Sequence, residues 1–156
     1  MAIVQKTVRT LNQSAVCPSH SRTDVSVRDL VVTLDEPEPR GGTNKGSTPT
    51  ETLMISLVGC TNVITNRLAE RAGLEISDMK IDIQYDFHFR GATLDEDVGT
   101  PFDNIVLTIA CNATGSKDQF QPIKDDLGKF CPVSRALSAN GQGAKITEVW
   151  NVTHTG

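Results

Sequence analysis

The sequence has no block of basic residues and no long apolar run. Its net charge is −4, whereas a protein that binds nucleic acid without sequence preference needs clustered lysine and arginine against the phosphates. A membrane-spanning helix needs about 20 consecutive apolar residues, and no stretch reaches that length. The first residues also lack the apolar segment of a secretory signal. We therefore expect a cytoplasmic protein with no nucleic-acid and no membrane partner.

Metal-binding patterns are absent as well. The four cysteines stand at positions 17, 60, 111 and 131 and form no Cys-x-x-Cys pair, and the three histidines have no metal-site spacing. We expect no metal and no other cofactor. Stable disulfides are rare in a reducing cytosol, so unpaired cysteines there are more often redox or catalytic groups.

The patterns that are present predict one α+β domain. The length of 156 residues suits one compact unit, which we place over residues 1–156, with an N-terminal strand region over 1–46 and the remaining elements over 47–156. Residues 3–11 and 24–34 have the composition of strands, and 35–46 that of an exposed loop. A central helix, two strands, a second helix and a final strand over 145–152 follow in that order.

The central helix has clear start and stop signals. Thr48 is suited to the N-cap, Pro49 to the first helical position and Glu51 to the third, which completes a capping box. Gly73 ends the helix after residue 72. The first half of this helix is apolar nearly all round, so other elements have to enclose it.

The second half of the chain contains two predicted strands and a predicted helix. Apolar and polar residues exchange without error over 79–90, which predicts a half-buried antiparallel strand, and 102–113 is a second strand with a more apolar middle. Ser116 caps the next helix with Gln119 at its third position. The predicted buried stripe of that helix consists of Phe120, Ile123, Leu127 and Phe130.

Cys60 lies in the middle of the central helix and has two interpretations. It shares one helical stripe with Leu53, Leu57, Ile64 and Leu68. Packing alone can therefore explain it, since a free cysteine behaves as a small buried hydrophobe. However, Gly59 lets a ligand or another chain approach the helix, and the Thr61 hydroxyl can donate a hydrogen bond to a thiolate.

Cys131 stands at a Cys-Pro junction. Pro132 fits the first position of a short helix over 133–137, which makes Cys131 its N-cap, where backbone N–H groups and the helix dipole stabilise a thiolate. The alternative is a helix break with an incidental thiol. Cys111 is interpreted as core packing and His88 as a solvated strand residue, whereas the role of Cys17, in an exposed loop, stays open.

Three segments resemble one known family in order and spacing. They run from Gly41 to Glu51, from Leu57 to Cys60 and from Phe130 to Ser134, and they resemble the OsmC/Ohr family, which includes osmotically inducible protein C and the organic hydroperoxide resistance protein. The interval from Glu51 to Cys60 is similar to that of the broader OsmC-like branch. The resemblance implies an intertwined homodimer, in which curved antiparallel sheets wrap a long central helix from each chain.

The same resemblance implies thiol peroxidase chemistry. Cys60 would be the peroxidatic cysteine that attacks an organic hydroperoxide, Cys131 would resolve the sulfenic acid as a disulfide, and an external dithiol would reset the enzyme. The resemblance implies that Glu51 positions an activating arginine. The place of that arginine falls near Ser19, and the nearest cation is Arg22. The alternative function is a non-catalytic OsmC-like dimer that binds a small apolar ligand at the subunit interface.

Overall fold

The computed structural model describes residues 7–155. They form two compact units, the first ending at Leu53 and the second beginning at Met54. The three helices are α1 (Pro49–Arg71), α2 (Lys117–Phe130) and α3 (Pro132–Ser138). The six strands are β1 (Ser14–Val16), β2 (Thr23–Val27), β3 (Leu30–Leu34), β4 (Ile76–Phe87), β5 (Phe102–Thr114) and β6 (Ile146–Thr155). This mixed composition confirms the predicted α+β class.

The first unit holds a three-stranded antiparallel sheet in the order β1-β2-β3. The segment 24–34, expected as strand, is a hairpin that turns at Arg28, which has φ 57°. The strand expected over 3–11 is wrong for residues 7–11, which belong to no strand, while 3–6 lie outside the described residues. Val8 and Leu11 of that segment are 79% and 81% exposed.

The loop after β3 is organised around a buried carboxylate. Asp35 is fully buried and accepts hydrogen bonds from the backbone N–H groups of Glu36, Thr43 and Lys45 and from the Thr43 hydroxyl. These bonds, the Thr43 hydroxyl first, lower the pKa of Asp35 to about 2. Gly42 is required in this loop because a side chain there would collide with the Glu36 backbone.

We expect Asp35→Asn to destabilise the protein in a pH-dependent way. The pKa of Asp35 is about 2 in the folded state and 3.8 without these bonds, so its carboxylate stabilises the fold above pH 4 and loses that effect as the pH falls through 2. Urea unfolding should therefore show a lower midpoint for the variant at pH 7 and converging midpoints towards pH 2. Asp29→Asn, in the exposed hairpin turn, is the control. A gap between wild type and Asp35→Asn that stays constant with pH would contradict this assignment.

Helix α1 begins as predicted. The Thr48 N–H donates to Glu51 Oε2 at 2.8 Å, and the Glu51 N–H donates to Thr48 Oγ1 at 3.2 Å, which is the expected capping box. The helix ends at Arg71, and Gly73 follows in the left-handed conformation with φ 71°. The stop signal was thus placed correctly to within one residue.

One face of α1 is not covered within a single chain. Leu57, Ile64 and Leu68 are buried in the core of the second unit, together with Met54, Thr61, Thr65 and Ala69. On the opposite side, Ile55 and Val63 are 57% and 45% exposed. The prediction that α1 is enclosed all round is therefore not met by one copy of the chain.

The second unit holds a mixed sheet in the order β4-β5-β6. β4 and β5 pair antiparallel, but β5 and β6 run parallel, so the expectation of antiparallel sheets is wrong for this pair. Parallel neighbours need a long crossover, and α2 and α3 form it. The inner face of β5 is fully buried and consists of Phe102, Ile105, Leu107, Ile109, Cys111 and Ala113.

Strand β4 has the predicted length of 12 residues but begins and ends three residues earlier than predicted. Its alternation is matched by alternating burial as far as Phe87. Beyond that point the His88 N–H donates to the Pro101 carbonyl, and Phe89 begins a 3-10 turn with 60% of its surface exposed. Pro101 has no N–H to continue the ladder, which explains why pairing ends at Phe87. His88 is therefore not a strand residue.

Helix α2 has the predicted cap and most of the predicted stripe. Ser116 and Gln119 form a capping box, and Phe120, Ile123 and Leu127 are at most 1% exposed. Phe130 does not belong to this stripe, because it is 51% exposed and packs its ring under the Arg71 guanidinium at 5.1 Å. Among the helices described, none has both the length and the apolar character needed to cross a bilayer.

Candidate functional site

The Cys-Pro junction places Cys131 between two helices. The Cys131 N–H donates to the Leu127 carbonyl and completes α2, while Pro132, which has no N–H to offer, opens α3. The Cys131 sulfur accepts a hydrogen bond from the Ser134 backbone N–H at 3.4 Å. The prediction that Cys131 is the N-cap of a short helix is confirmed, and the backbone fixes the direction of its side chain.

The structure brings the Cys60 and Cys131 thiols together. Cys60 projects from α1 and packs against the core that includes Cys131, near enough to act on the pKa of the Cys131 thiol. Both residues are free thiols and belong to the second unit. The two side chains are neighbours, which a disulfide between them requires.

The two thiols differ in their access to solvent. Cys131 is fully buried, whereas Cys60 is half-buried. Burial raises the pKa of Cys131 to about 11; the Ser134 N–H opposes this rise and the contact with Cys60 adds to it. Cys131 therefore keeps its proton at neutral pH, and Cys60 is the more exposed residue of the two.

Glu51 is held by the capping box. The Thr48 backbone N–H, followed by the Thr48 hydroxyl, lowers the pKa of Glu51, and the positive charge of Arg40 lowers it further. Arg40 also forms an ion pair with Glu36 at 3.0 Å. The sequence analysis missed Arg40, although its position directly before the Gly41-Gly42 pair was a usable signal.

Arg22 has a different carboxylate partner from the one implied by the resemblance. Its guanidinium binds Asp24 with a nitrogen–oxygen distance of 2.9 Å, and its Nε donates to the same carboxylate at 3.1 Å. This pair, together with a hydrogen bond from Thr33, lowers the pKa of Asp24. The activating role of Arg22 stays a prediction.

The other two cysteines stand apart from this pair. Cys111 lies on the buried face of β5, where burial raises the pKa of its thiol, in keeping with core packing. Cys17 follows β1 and is exposed, with its sulfur 3.8 Å from the Thr23 hydroxyl.

One cavity of the second unit has a mostly polar lining. A cavity of about 110 Å³ lies at one end of the β4-β5-β6 sheet, lined by Glu75, Ile76, Ser77, Asn112, Ala113, Thr114 and Thr155. This mostly polar lining does not suit a small apolar ligand. Within residues 7–155, no group of three or more His, Cys, Asp or Glu side chains is arranged to hold a metal ion.

Comparison with known proteins identifies the class to which this fold and thiol pair belong. The profile of the OsmC-like protein family matches residues 42–146, which include both Cys60 and Cys131. The chain belongs to the OsmC-like family. A search of curated proteins finds no match.

Solved structures agree with this assignment. An OsmC-like protein from Mycoplasma pneumoniae is similar with a TM-score of 0.73 and 21% identity, over 95% of this chain and 99% of that one. An organic hydroperoxide resistance protein from Legionella pneumophila is similar with a TM-score of 0.60 and 14% identity, over 94% of this chain and 99% of that one. An organic hydroperoxide resistance protein from Elizabethkingia anophelis is similar with a TM-score of 0.59 and 17% identity, over 97% of this chain and 100% of that one. At these identities the likeness shows the shared fold.

Proposed function

We propose that the protein is a thiol-dependent peroxidase that reduces organic hydroperoxides. The observation that carries the proposal is the contact between a reachable thiol, Cys60, and a fully buried one, Cys131. A structural cysteine pair needs no such division between a partly exposed residue and a fully buried one. A peroxidase needs both, one to react and one to resolve.

The reaction balances with these two residues and a dithiol. The Cys60 thiolate attacks the distal oxygen of the hydroperoxide, the O–O bond breaks, and the alcohol leaves after taking up a proton. Cys60 is then a sulfenic acid. The Cys131 sulfur displaces its hydroxyl as water and forms a disulfide, and an external dithiol reduces that disulfide back to two thiols.

The substrate class is supported by the family and by the names of similar proteins. The Legionella pneumophila and Elizabethkingia anophelis proteins are both named organic hydroperoxide resistance proteins. Their fold extends over more than nine-tenths of this chain. We therefore assign an organic hydroperoxide, rather than a peptide disulfide, as the partner of Cys60.

The open face of α1 supports an intertwined homodimer. Ile55, Gly59 and Val63 follow one another at four-residue intervals and so share one face of the helix. Ile55 and Val63 are about half exposed in a single chain, and exposed apolar surface of this kind marks an interaction site. In the proposed dimer, the second copy covers this face, and the sheets of both chains wrap the paired helices.

Activation of Cys60 by a cation is part of the proposal. Glu51 would position that cation, as the family resemblance implies. Two arginines of the first unit are candidates, namely Arg22, which binds Asp24, and Arg40, whose charge acts on Glu51. Replacing each by methionine in turn and measuring the rate of hydroperoxide reduction distinguishes them.

A peroxidase assay tests the function directly. Purified protein with an excess of dithiothreitol or dihydrolipoamide should consume cumene hydroperoxide over many turnovers, and protein alkylated beforehand at Cys60 serves as the control. If cumene and tert-butyl hydroperoxide both persist with every dithiol tried, and the thiols stay reduced, the proposal is wrong.

A further inference from the structure

We propose that the Cys131 thiol acts before it resolves, by donating its S–H hydrogen bond to the Cys60 thiolate and so stabilising the attacking form of the enzyme. This inference rests on the proposed peroxidase function and assigns a second task to Cys131. The same proton then leaves with the hydroxide when the disulfide forms.

The surroundings of the Cys131 sulfur define the direction of its hydrogen bonds. The Ser134 N–H donates to this sulfur at 3.4 Å, so one of its lone pairs is occupied from the side of α3. The side chain is fully buried, so bulk solvent does not reach it to accept its proton. Since buried donors are almost always paired, the Cys60 sulfur in contact with it is the acceptor that the geometry offers.

The charge distribution within the pair agrees with this direction. Burial holds the pKa of Cys131 at about 11, and Cys60 is the titratable group whose charge acts on it. Cys131, which is fully buried, is therefore the member of the pair that keeps its proton at neutral pH. A hydrogen bond from a neutral thiol to a thiolate is charge-assisted, and it is stronger where water is excluded.

The retained proton also completes the second half of the cycle. After Cys60 has become a sulfenic acid, the Cys131 sulfur attacks the Cys60 sulfur and the S–O bond breaks. The proton of Cys131 moves to the departing hydroxide, which leaves as water. No external base is needed, and the Ser134 N–H stabilises the negative charge that develops on the Cys131 sulfur as it loses its proton.

Alkylation of Cys60 in the absence of hydroperoxide tests the hydrogen bond separately from peroxidase activity. The rate of Cys60 modification by iodoacetamide is followed against pH by peptide mass spectrometry. In Cys131→Ala the pH of half-maximal rate should rise by about one unit, which is about a tenfold slower reaction at neutral pH. In Cys131→Ser, which retains a hydrogen-bond donor, the pH of half-maximal rate should stay at or below the wild-type value. Cys111→Ala, a buried thiol outside the pair, should match wild type.

The possible outcomes separate this inference from the proposed function. A Cys131→Ala profile equal to wild type overturns the inference, and so does a Cys131→Ser profile that rises as far as that of Cys131→Ala. Neither result bears on turnover, whereas a failed peroxidase assay with the expected alkylation shifts would overturn only the function.

A measurement on the wild type covers the case in which Cys131→Ala does not fold. The ¹³Cβ signals of cysteine-labelled protein are followed from pH 6 to pH 10. The Cys60 signal should move to its thiolate position while that of Cys131 keeps its thiol position. Ionisation in the opposite order would contradict the inference.

Discussion

Cys60→Ser is expected to abolish hydroperoxide reduction, lowering turnover by about three orders of magnitude or more. A serine hydroxyl at this position is not ionised at neutral pH and cannot replace the thiolate as nucleophile. The substitution changes one half-buried atom, so the fold should persist. The measurement is steady-state consumption of cumene hydroperoxide with excess dithiol, together with a circular dichroism spectrum to verify folding.

Cys17→Ser is the matched control for this loss. It makes the same sulfur-to-oxygen exchange at an exposed thiol that contacts Thr23 rather than another cysteine. Its turnover should equal that of wild type. Substantial turnover in folded Cys60→Ser would show that a different residue is the peroxidatic group.

Cys131→Ser is expected to stop after about one equivalent of hydroperoxide per chain. The first attack still occurs because Cys60 is unchanged, but the sulfenic acid has no thiol with which to condense. Excess hydroperoxide should then oxidise Cys60 further to the sulfinic acid, which intact-mass measurement detects as two added oxygens. Rapid mixing with one equivalent of hydroperoxide measures the rate of the first step.

The rate of that first step also bears on the hydrogen bond from Cys131. The serine hydroxyl retains a donor, so the first turnover of Cys131→Ser should be as fast as that of wild type. Cys111→Ser, with an equally buried thiol on β5, should keep the full cycle. Continued turnover of Cys131→Ser at the wild-type rate would mean that the external dithiol, and not Cys131, reduces the sulfenic acid.

Local signals predicted much of the fold. The caps at Thr48 and Ser116, the stop at Gly73 and the N-cap at Cys131 depend on residues within a few positions of one another, and the structure has all four. The alternation over 79–87 likewise needs only the strand itself. Such features can be predicted because the interacting groups are neighbours in the chain.

Features that depend on distant residues were not foreseen. β4 ends where Pro101 interrupts its partner strand, and Phe130 is drawn out of the α2 stripe by Arg71. The parallel pairing of β6 follows from the crossover of two helices, which no local pattern encodes. Asp35 lies in a loop that the sequence predicts to be exposed. Its burial depends on hydrogen-bond donors up to ten positions away.

The candidate site shows the same division. The sequence alone gave two open interpretations for each of Cys60 and Cys131, and only the family resemblance joined them. Their contact is a tertiary one between α1 and the α2–α3 junction. The resemblance places the activating arginine near Ser19, where Arg22 is the nearest cation, and this role of Arg22 stays a prediction. In the structure, the charge of Arg40 contributes to lowering the pKa of Glu51.

Disulfide mapping after one equivalent of hydroperoxide tests the central claim most directly. Reduced protein is treated with cumene hydroperoxide in the absence of dithiol, alkylated, digested without reduction and analysed by peptide mass spectrometry. We predict one dominant crosslink, between the peptides of Cys60 and Cys131, formed as the hydroperoxide disappears. The account would be contradicted if the hydroperoxide is consumed but the crosslink involves Cys17 or Cys111. It would also be contradicted if all four thiols stay reduced.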